Sequence, residues 1–204
     1  PKIFKKNPNI IVLMVTNPVD ILTNLAIKMF PKKKRQIFGS GTILDTARFR
    51  LILGEKMSVD PKSVHAYIVG EHGDSELPLW STAMVGNTNI DNFYKLSKSN
   101  KKRIFDQAKN AAYAIIKGKQ ATYYAIAAGI VQLSRAVLFD KKTVFTVSHP
   151  LNGEFGIKDV SLSLPVVIGG QGVIRRINME ISAEEKRLLQ ASATKLKKAE
   201  QGLR

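Results

Sequence analysis

The sequence predicts an α/β protein: the end of a Rossmann-type parallel sheet, followed by a mixed α+β domain. Three observations carry the prediction. Residues 10–16, IIVLMVT, are an unbroken apolar run, as in strands covered on both faces within a parallel sheet. Apolar residues at Val19, Leu22, Leu25, Ala26 and Met29 then follow helical spacing, and Ile37-Phe38 resumes a strand, so the order is strand, helix, strand. Near the end, residues 160–168 and 173–179 are β-prone runs joined by Gly169-Gly170-Gln171-Gly172, the mark of an antiparallel pair.

Each element has its local reason. Asn17-Pro18 ends the first strand, and Pro31 with Lys32-Lys33-Lys34-Arg35 stops the first helix. After Gly39-Ser40-Gly41, Thr42 is placed to cap a helix over about 43–57. Its expected core stripe is Ile43, Leu44, Ala47, Leu51 and Ile52. Residues 64–70 are expected as one strand and residues near 80–85 as another, with a turn or short helix over 91–95. Helical pattern covers about 100–117 and 121–138, with Gly118 between them. Residues 143–148 form a further strand. Ser182-Ala183-Glu184-Glu185 is a capping box that opens a last amphipathic helix to about residue 200.

Composition bounds the function. The chain has 204 residues, 44% of them hydrophobic, enough for a sizeable core. It has no cysteine, which rules out disulfides and thiolate metal sites within it. No apolar run reaches membrane-spanning length. The net charge is +16, from 32 Lys+Arg against 16 Asp+Glu, and bulk charge of this kind points toward anionic partners. The densest basic runs fall at helix boundaries without interleaved aromatics, so nucleic-acid binding is not expected. No G-x-G-x-x-G occurs. Gly170-Gln171-Gly172 is a decoy, since residue 175 is Arg and the context is a hairpin.

The chemistry centres on Val64-His65-Ala66-Tyr67-Ile68-Val69-Gly70-Glu71-His72-Gly73-Asp74-Ser75, where a β-prone run delivers His72 onto a glycine-flanked turn beside acids. Histidine is the side chain most easily tuned to exchange a proton near neutral pH. Asp45 and Arg48, three apart, share one helix face. Two readings fit this pair. One is a surface ion pair at a helix N-terminus. In the other, Asp45 holds the His72 ring and fixes its tautomer, while Arg48 grips a substrate carboxylate through its planar fork. His72 then donates a proton to a carbonyl oxygen, or removes one from an alcohol. His149, before Pro150, reads as structural or exposed.

Val15-Thr16-Asn17-Pro18-Val19-Asp20, then Gly39-Ser40-Gly41-Thr42-Ile43-Leu44-Asp45-Thr46-Ala47-Arg48-Phe49-Arg50, then Gly70-Glu71-His72-Gly73-Asp74-Ser75 occur in this order. Together they resemble the L-lactate dehydrogenase family in its bacterial form, and the resemblance runs through Leu151-Asn152-Gly153-Glu154-Phe155-Gly156-Ile157 to the last helix. It implies NAD-dependent reduction of pyruvate to L-lactate. His72 is implied as proton donor and acceptor, Asp45 as its partner, and Arg48 as the carboxylate clamp. Asn17 and Ser40 are implied at the nicotinamide end of the cofactor, with Asn17 also near substrate. Thr122 is implied in the substrate pocket and Ile126 against the nicotinamide ring. Malate dehydrogenases share the histidine, aspartate and arginine; the Ala121-Thr122-Tyr123-Tyr124-Ala125-Ile126 segment favours lactate.

The resemblance also implies a cytoplasmic homotetramer. Arg50 and His65 match the positions that bind fructose 1,6-bisphosphate in regulated members of the family. Arg50 lies roughly 200° around the helix from Arg48. A regular strand would turn His65 and His72 to opposite faces. Both observations place this second basic pair away from the first. The expected organisation is residues 1–39 as the end of a dinucleotide-binding domain whose start lies outside the chain, and 40–204 as the catalytic domain. The isolated chain is then expected to be inactive. Its alternative roles are an interaction module or an anion-binding fragment.

Overall fold

The computed structural model describes residues 2–119 and 123–202. The first part alternates helix and strand: α1 (Lys2–Lys6), β1 (Val12–Met14), α2 (Val19–Met29), a 3-10 segment at Pro31–Gln36, β2 (Ile37–Gly39) and α3 (Ile43–Met57). Short strands follow: β3 (Val64–His65), β4 (Ile68–Val69), β5 (Leu77–Pro78), β6 (Met84–Val85) and β7 (Thr88–Asn89). Next come α4 (Ile90–Phe93), α5 (Lys98–Lys119) and α6 (Tyr124–Leu138), then β8 (Thr143–Asn152), β9 (Lys158–Gly169), β10 (Gly172–Arg176) and α7 (Ala183–Gln201).

The main sheet has the order β1-β2-β8-β9-β10. β1 and β2 run parallel, with Val12 opposite Ile37 and Met14 opposite Gly39. β8, β9 and β10 are antiparallel, as their β-prone runs and glycine turn predict. Phe38, Ile43, Leu133, Val147, Val166 and Ile168 close one core around this sheet. Val69, Leu77, Leu79, Leu162, Leu164, Leu189 and Leu196 close a second beneath α7. The capping box forms: the Ser182 hydroxyl accepts from Glu185 N, and the Glu185 carboxylate accepts from Ser182 N.

Two expectations about the site region are corrected. Residues 64–70 are not one strand. The run breaks at Ala66-Tyr67, β3 pairs with β6, and β4 pairs with β5 in a separate sheet. The argument that His65 and His72 face opposite ways through a regular strand therefore loses its premise. The buried face of α3 is also rotated from the expected stripe. Phe49, Leu53 and Met57 pack inward against Val64, Ile68 and Ile104, with Asp45 and Thr46 buried beside them. Ala47 and Leu51 are exposed instead. The cause is the polar anchoring of the helix's first turn: Thr42 Oγ1 donates to the Ile68 carbonyl at 2.6 Å, and Thr46 Oγ1 accepts from Ile68 N at 3.0 Å. These bonds outrank apolar spacing in setting the rotation, because buried polar groups must be paired.

Two glycines direct the chain at the site. Gly41 has φ +53°, and a Cβ there would meet the Ser148 nitrogen at 2.6 Å. Gly70, at φ +92°, turns the chain out of β4 toward His72. It is tied to β9 by reciprocal 2.9 Å hydrogen bonds with Ser163.

Candidate active site

Asp45 sits in the first turn of α3 and is 4% exposed. The anchoring of α3 to β4 aims it at the loop that Gly70 launches. His72 Nδ1 lies 2.8 Å from Asp45 Oδ2, and Arg48 Nη1 donates to Asp45 Oδ1 at 3.3 Å. One carboxylate thus holds the imidazole with one oxygen and the guanidinium with the other. The hydrogen bond to Asp45 raises the pKa of His72, against the opposing effect of burial. A ring fixed at Nδ1 keeps Nε2 free for proton exchange. Arg48 spends one N–H on Asp45 and keeps others for a substrate carboxylate.

Sequence reasoning singled out these three side chains and missed two acids. Asp20 lies in the first turn of α2 and is 2% exposed. Its Oδ2 accepts from the backbone N of His72 at 2.7 Å. The histidine is therefore gripped twice, by its ring from α3 and by its backbone from α2. Burial raises Asp20 to about 6, partly offset by the nearby Ser148 hydroxyl and by the hydrogen bond from His72 N. A signal existed, since an acid stands at a helix start directly after Asn17-Pro18-Val19; its target did not show in the sequence. The second acid, Glu76, precedes β5 and is 7% exposed. Burial, with the Asp45 carboxylate second, pushes it up to about 8, against the pull of His72, Lys109 and Arg48.

Asp45, His72 and Glu76 each place one possible metal-ligand atom within 4.8 Å of the others. The Nδ1–Asp45 bond already occupies two of those groups, and Arg48 beside them opposes a cation.

The remaining predicted residues divide. Asn17 is exposed beyond the C-terminal end of β1. Ser40 follows β2, is 4% exposed, and bonds to Met14 O through its backbone N at 2.8 Å. Both stand where open α/β sheets bind ligands, outside the carboxyl ends of parallel strands. Ile126 is half-buried in the first turn of α6. An amide, a hydroxyl and an apolar side chain suit the carboxamide, ribose and ring face of a nicotinamide. Thr122 lies outside the described residues. Arg50 donates through Nε to the Ala66 carbonyl at 2.8 Å and stacks on Tyr67 at 4.7 Å from the ring centre. His65 is exposed on β3, and no hydrogen bond joins it to Arg50 among the described residues. His149 is buried rather than exposed: its Nε2 lies 3.1 Å from the Lys34 carbonyl, and burial, with Arg176 next, lowers it to about 4.

This fold and site define a class of α/β oxidoreductases. The chain belongs to the lactate/malate dehydrogenase family: residues 42–203 match the family model for the lactate/malate dehydrogenase alpha/beta C-terminal domain. It is 45% identical over 208 aligned residues to the L-lactate dehydrogenase of Thermus aquaticus, covering 100% of this chain and 67% of that protein. It is 42% identical to L-lactate dehydrogenase 1 of Clostridium acetobutylicum, covering 98% of this chain and 65% of that protein. Among solved structures, the minor L-lactate dehydrogenase of Enterococcus mundtii superposes with a TM-score of 0.90 at 38% identity. That match covers 95% of this chain and 63% of the other. The chain thus spans about two thirds of the length of these relatives.

Proposed function

We propose that the protein carrying this chain is an NAD-dependent L-lactate dehydrogenase that interconverts pyruvate and L-lactate. The observation that carries the reading is the single Asp45 carboxylate joining the His72 ring at 2.8 Å and Arg48 at 3.3 Å. Arg48 orients the substrate carboxylate. Protonated His72 gives its Nε2 proton to the keto oxygen of pyruvate, and neutral His72 removes it from the hydroxyl of lactate. Asp45 holds the ring and offsets the imidazolium charge. Asn17, Ser40 and Ile126 would hold the nicotinamide end of NAD, which when bound supplies or accepts the hydride. Asn17 and Thr122 complete the substrate contacts in this reading.

In the same reading, residues 1–39 end the dinucleotide-binding domain and 40–204 form the catalytic domain. The protein is cytoplasmic and homotetrameric. Assembly is supported by the exposed Ala47 and Leu51 of α3, which border a groove of about 410 Å³ that Arg48 and Arg50 also line. Fructose 1,6-bisphosphate acts as activator through Arg50 and His65. The bond from Arg50 to Ala66 sets the guanidinium beside the residue that follows His65.

The test is loss of NADH absorbance with pyruvate, and with oxaloacetate as competitor, for the chain and for the longer protein containing it. Preferential pyruvate turnover by the longer protein, with a silent chain, supports the reading. Oxaloacetate preference moves the substrate to malate and keeps the roles of His72, Asp45 and Arg48. Loss of bisphosphate activation in Arg50→Gln supports the regulatory site, and an unchanged activation curve removes it.

A further inference from the structure

Glu76 is the acid that this mechanism leaves without a task. It is 93% withdrawn from solvent, being 7% exposed, yet no hydrogen bond or ion pair holds its carboxylate among the described residues. Its oxygens are not among the sealed, unpartnered polar atoms of the described residues, so the carboxyl meets the cleft while the rest of the side chain is withdrawn from water. Its carboxyl lies within 4.8 Å of the ligand-type atoms of both Asp45 and His72.

The cleft beside Glu76 is lined by Asp74, Asp91, Lys98, Lys101 and Lys102, and from α7 by Glu184, Glu185 and Lys195; the charges that act on Glu76 itself come from nearer groups. From α3 come Asp45 and Arg48, from α5 comes Lys109, and His72 faces it from its own loop. Asp20, from α2, acts on His72, and Glu71 acts in turn on Asp20. Lys109 Nζ is engaged with the Asp74 carbonyl at 2.8 Å. Arg48 is engaged with Asp45. Neither cation bonds to Glu76. The acid also lines a cleft of about 1030 Å³ between β5, α5 and α7, which gives its proton a path to water.

We propose that Glu76 is a charge-compensating residue of the reaction: it releases a proton when His72 gains one, and takes one up when His72 gives its proton to substrate. The proposal rests on the reading of His72 as the proton donor. His72 in its charged form favours an ionised Glu76, and an ionised Glu76 favours charged His72. Two groups this close titrate as a pair rather than singly. When the imidazolium passes its proton to the keto oxygen, Glu76 loses the nearby positive charge and binds a proton from water. The site's net charge is then the same before and after transfer. Glu76 touches neither substrate nor cofactor in this account; it acts through His72.

The experiment is an NMR titration of the chain from pH 5 to 9, following the His72 ring and the Glu76 side-chain carboxyl. In the unmutated chain, Glu76 is expected to titrate near 8 rather than near its ordinary value of 4.5, and the His72 curve to show the same inflection. In Glu76→Gln, the His72 curve becomes a single step and its midpoint falls. A Glu76 that titrates near 4.5, or His72 curves that superimpose, overturns the proposal. The carboxyl titration needs no substitution, so a variant that fails to fold does not block the test.

In the longer protein, Glu76→Gln is expected to move the pH profile of pyruvate reduction downward by the same interval. Turnover with an unmoved profile removes the role of Glu76 and leaves the dehydrogenase reading in place. Coupled titration without turnover of pyruvate or oxaloacetate removes the functional reading, and with it the role of Glu76.

Discussion

Replacing Asp45 with Asn removes one charge from the centre of the site with little change of shape. Asp45 is 4% exposed and bonds to His72 at 2.8 Å. A hydrogen bond to a charged group contributes about 1.5–3 kcal/mol, and losing it lowers the pKa of His72. At neutral pH the protonated fraction of His72 therefore falls. Arg48 also loses its charged partner at 3.3 Å, which loosens the clamp. Together these predict a fall of about 10²- to 10³-fold in kcat/KM for pyruvate at pH 7. The loss should be partly recovered as pH falls, because protons then supply what Asp45 no longer stabilises. Stability follows the same sign. The pKa of His72 is raised above 6.5 in the folded chain, so its contribution is full below 6.5 and is lost as pH rises through the raised value. The stability difference between wild type and Asp45→Asn should accordingly narrow over that interval. The assays are pH–rate profiles of the longer protein and urea unfolding of the chain. An Asp45→Asn profile that overlays the wild type would refute the reasoning, because the ring would then not depend on the carboxylate.

Three further outcomes follow from the geometry. Asp20→Asn should flatten stability between pH 4 and pH 6. Burial raises Asp20 from 3.8 to about 6, so its contribution is full below 3.8 and lost as pH rises through 6. The change is on the order of 3 kcal/mol, read by urea unfolding at several pH values against the wild type; an unaltered slope counts against this assignment. Arg48→Lys keeps the charge but not the planar fork, and should lower kcat/KM for pyruvate by about 10- to 100-fold, mainly through KM; equal KM values would argue against a carboxylate clamp. Gly41→Ala forces a Cβ onto a φ of +53° and to 2.6 Å from the Ser148 nitrogen. A destabilisation of at least about 2 kcal/mol should result, visible as a lower Tm.

By itself, the sequence determined the class of the fold and singled out three side chains that the fold brings together. Within the 10–16 run, Val12–Met14 became β1, parallel to β2, although it lies at the sheet edge and is half-buried rather than covered on both faces. The 160–168 and 173–179 runs became the β9–β10 pair. Ser182 and Glu185 closed their capping box. These features are local, set by apolar period, turn residues and caps that neighbours along the chain satisfy. His72, Asp45 and Arg48 were singled out by the family resemblance of their motifs, since the local spacing of Asp45 and Arg48 also fits a surface ion pair.

What required the tertiary structure was everything decided between distant segments. The rotation of α3 came from Thr42 and Thr46 binding Ile68, 26 and 22 residues away, and it exposed Ala47 and Leu51 against the apolar pattern. The break of 64–70 into β3 and β4 came from two different pairing partners. Asp20 gained its role only by meeting His72 across 52 residues. Glu76 became notable only when burial removed its water and set it beside Asp45 and His72. Sequence period records which side chains prefer to leave water. It does not record which polar groups will find each other once they have left, and those pairings set the geometry of this site.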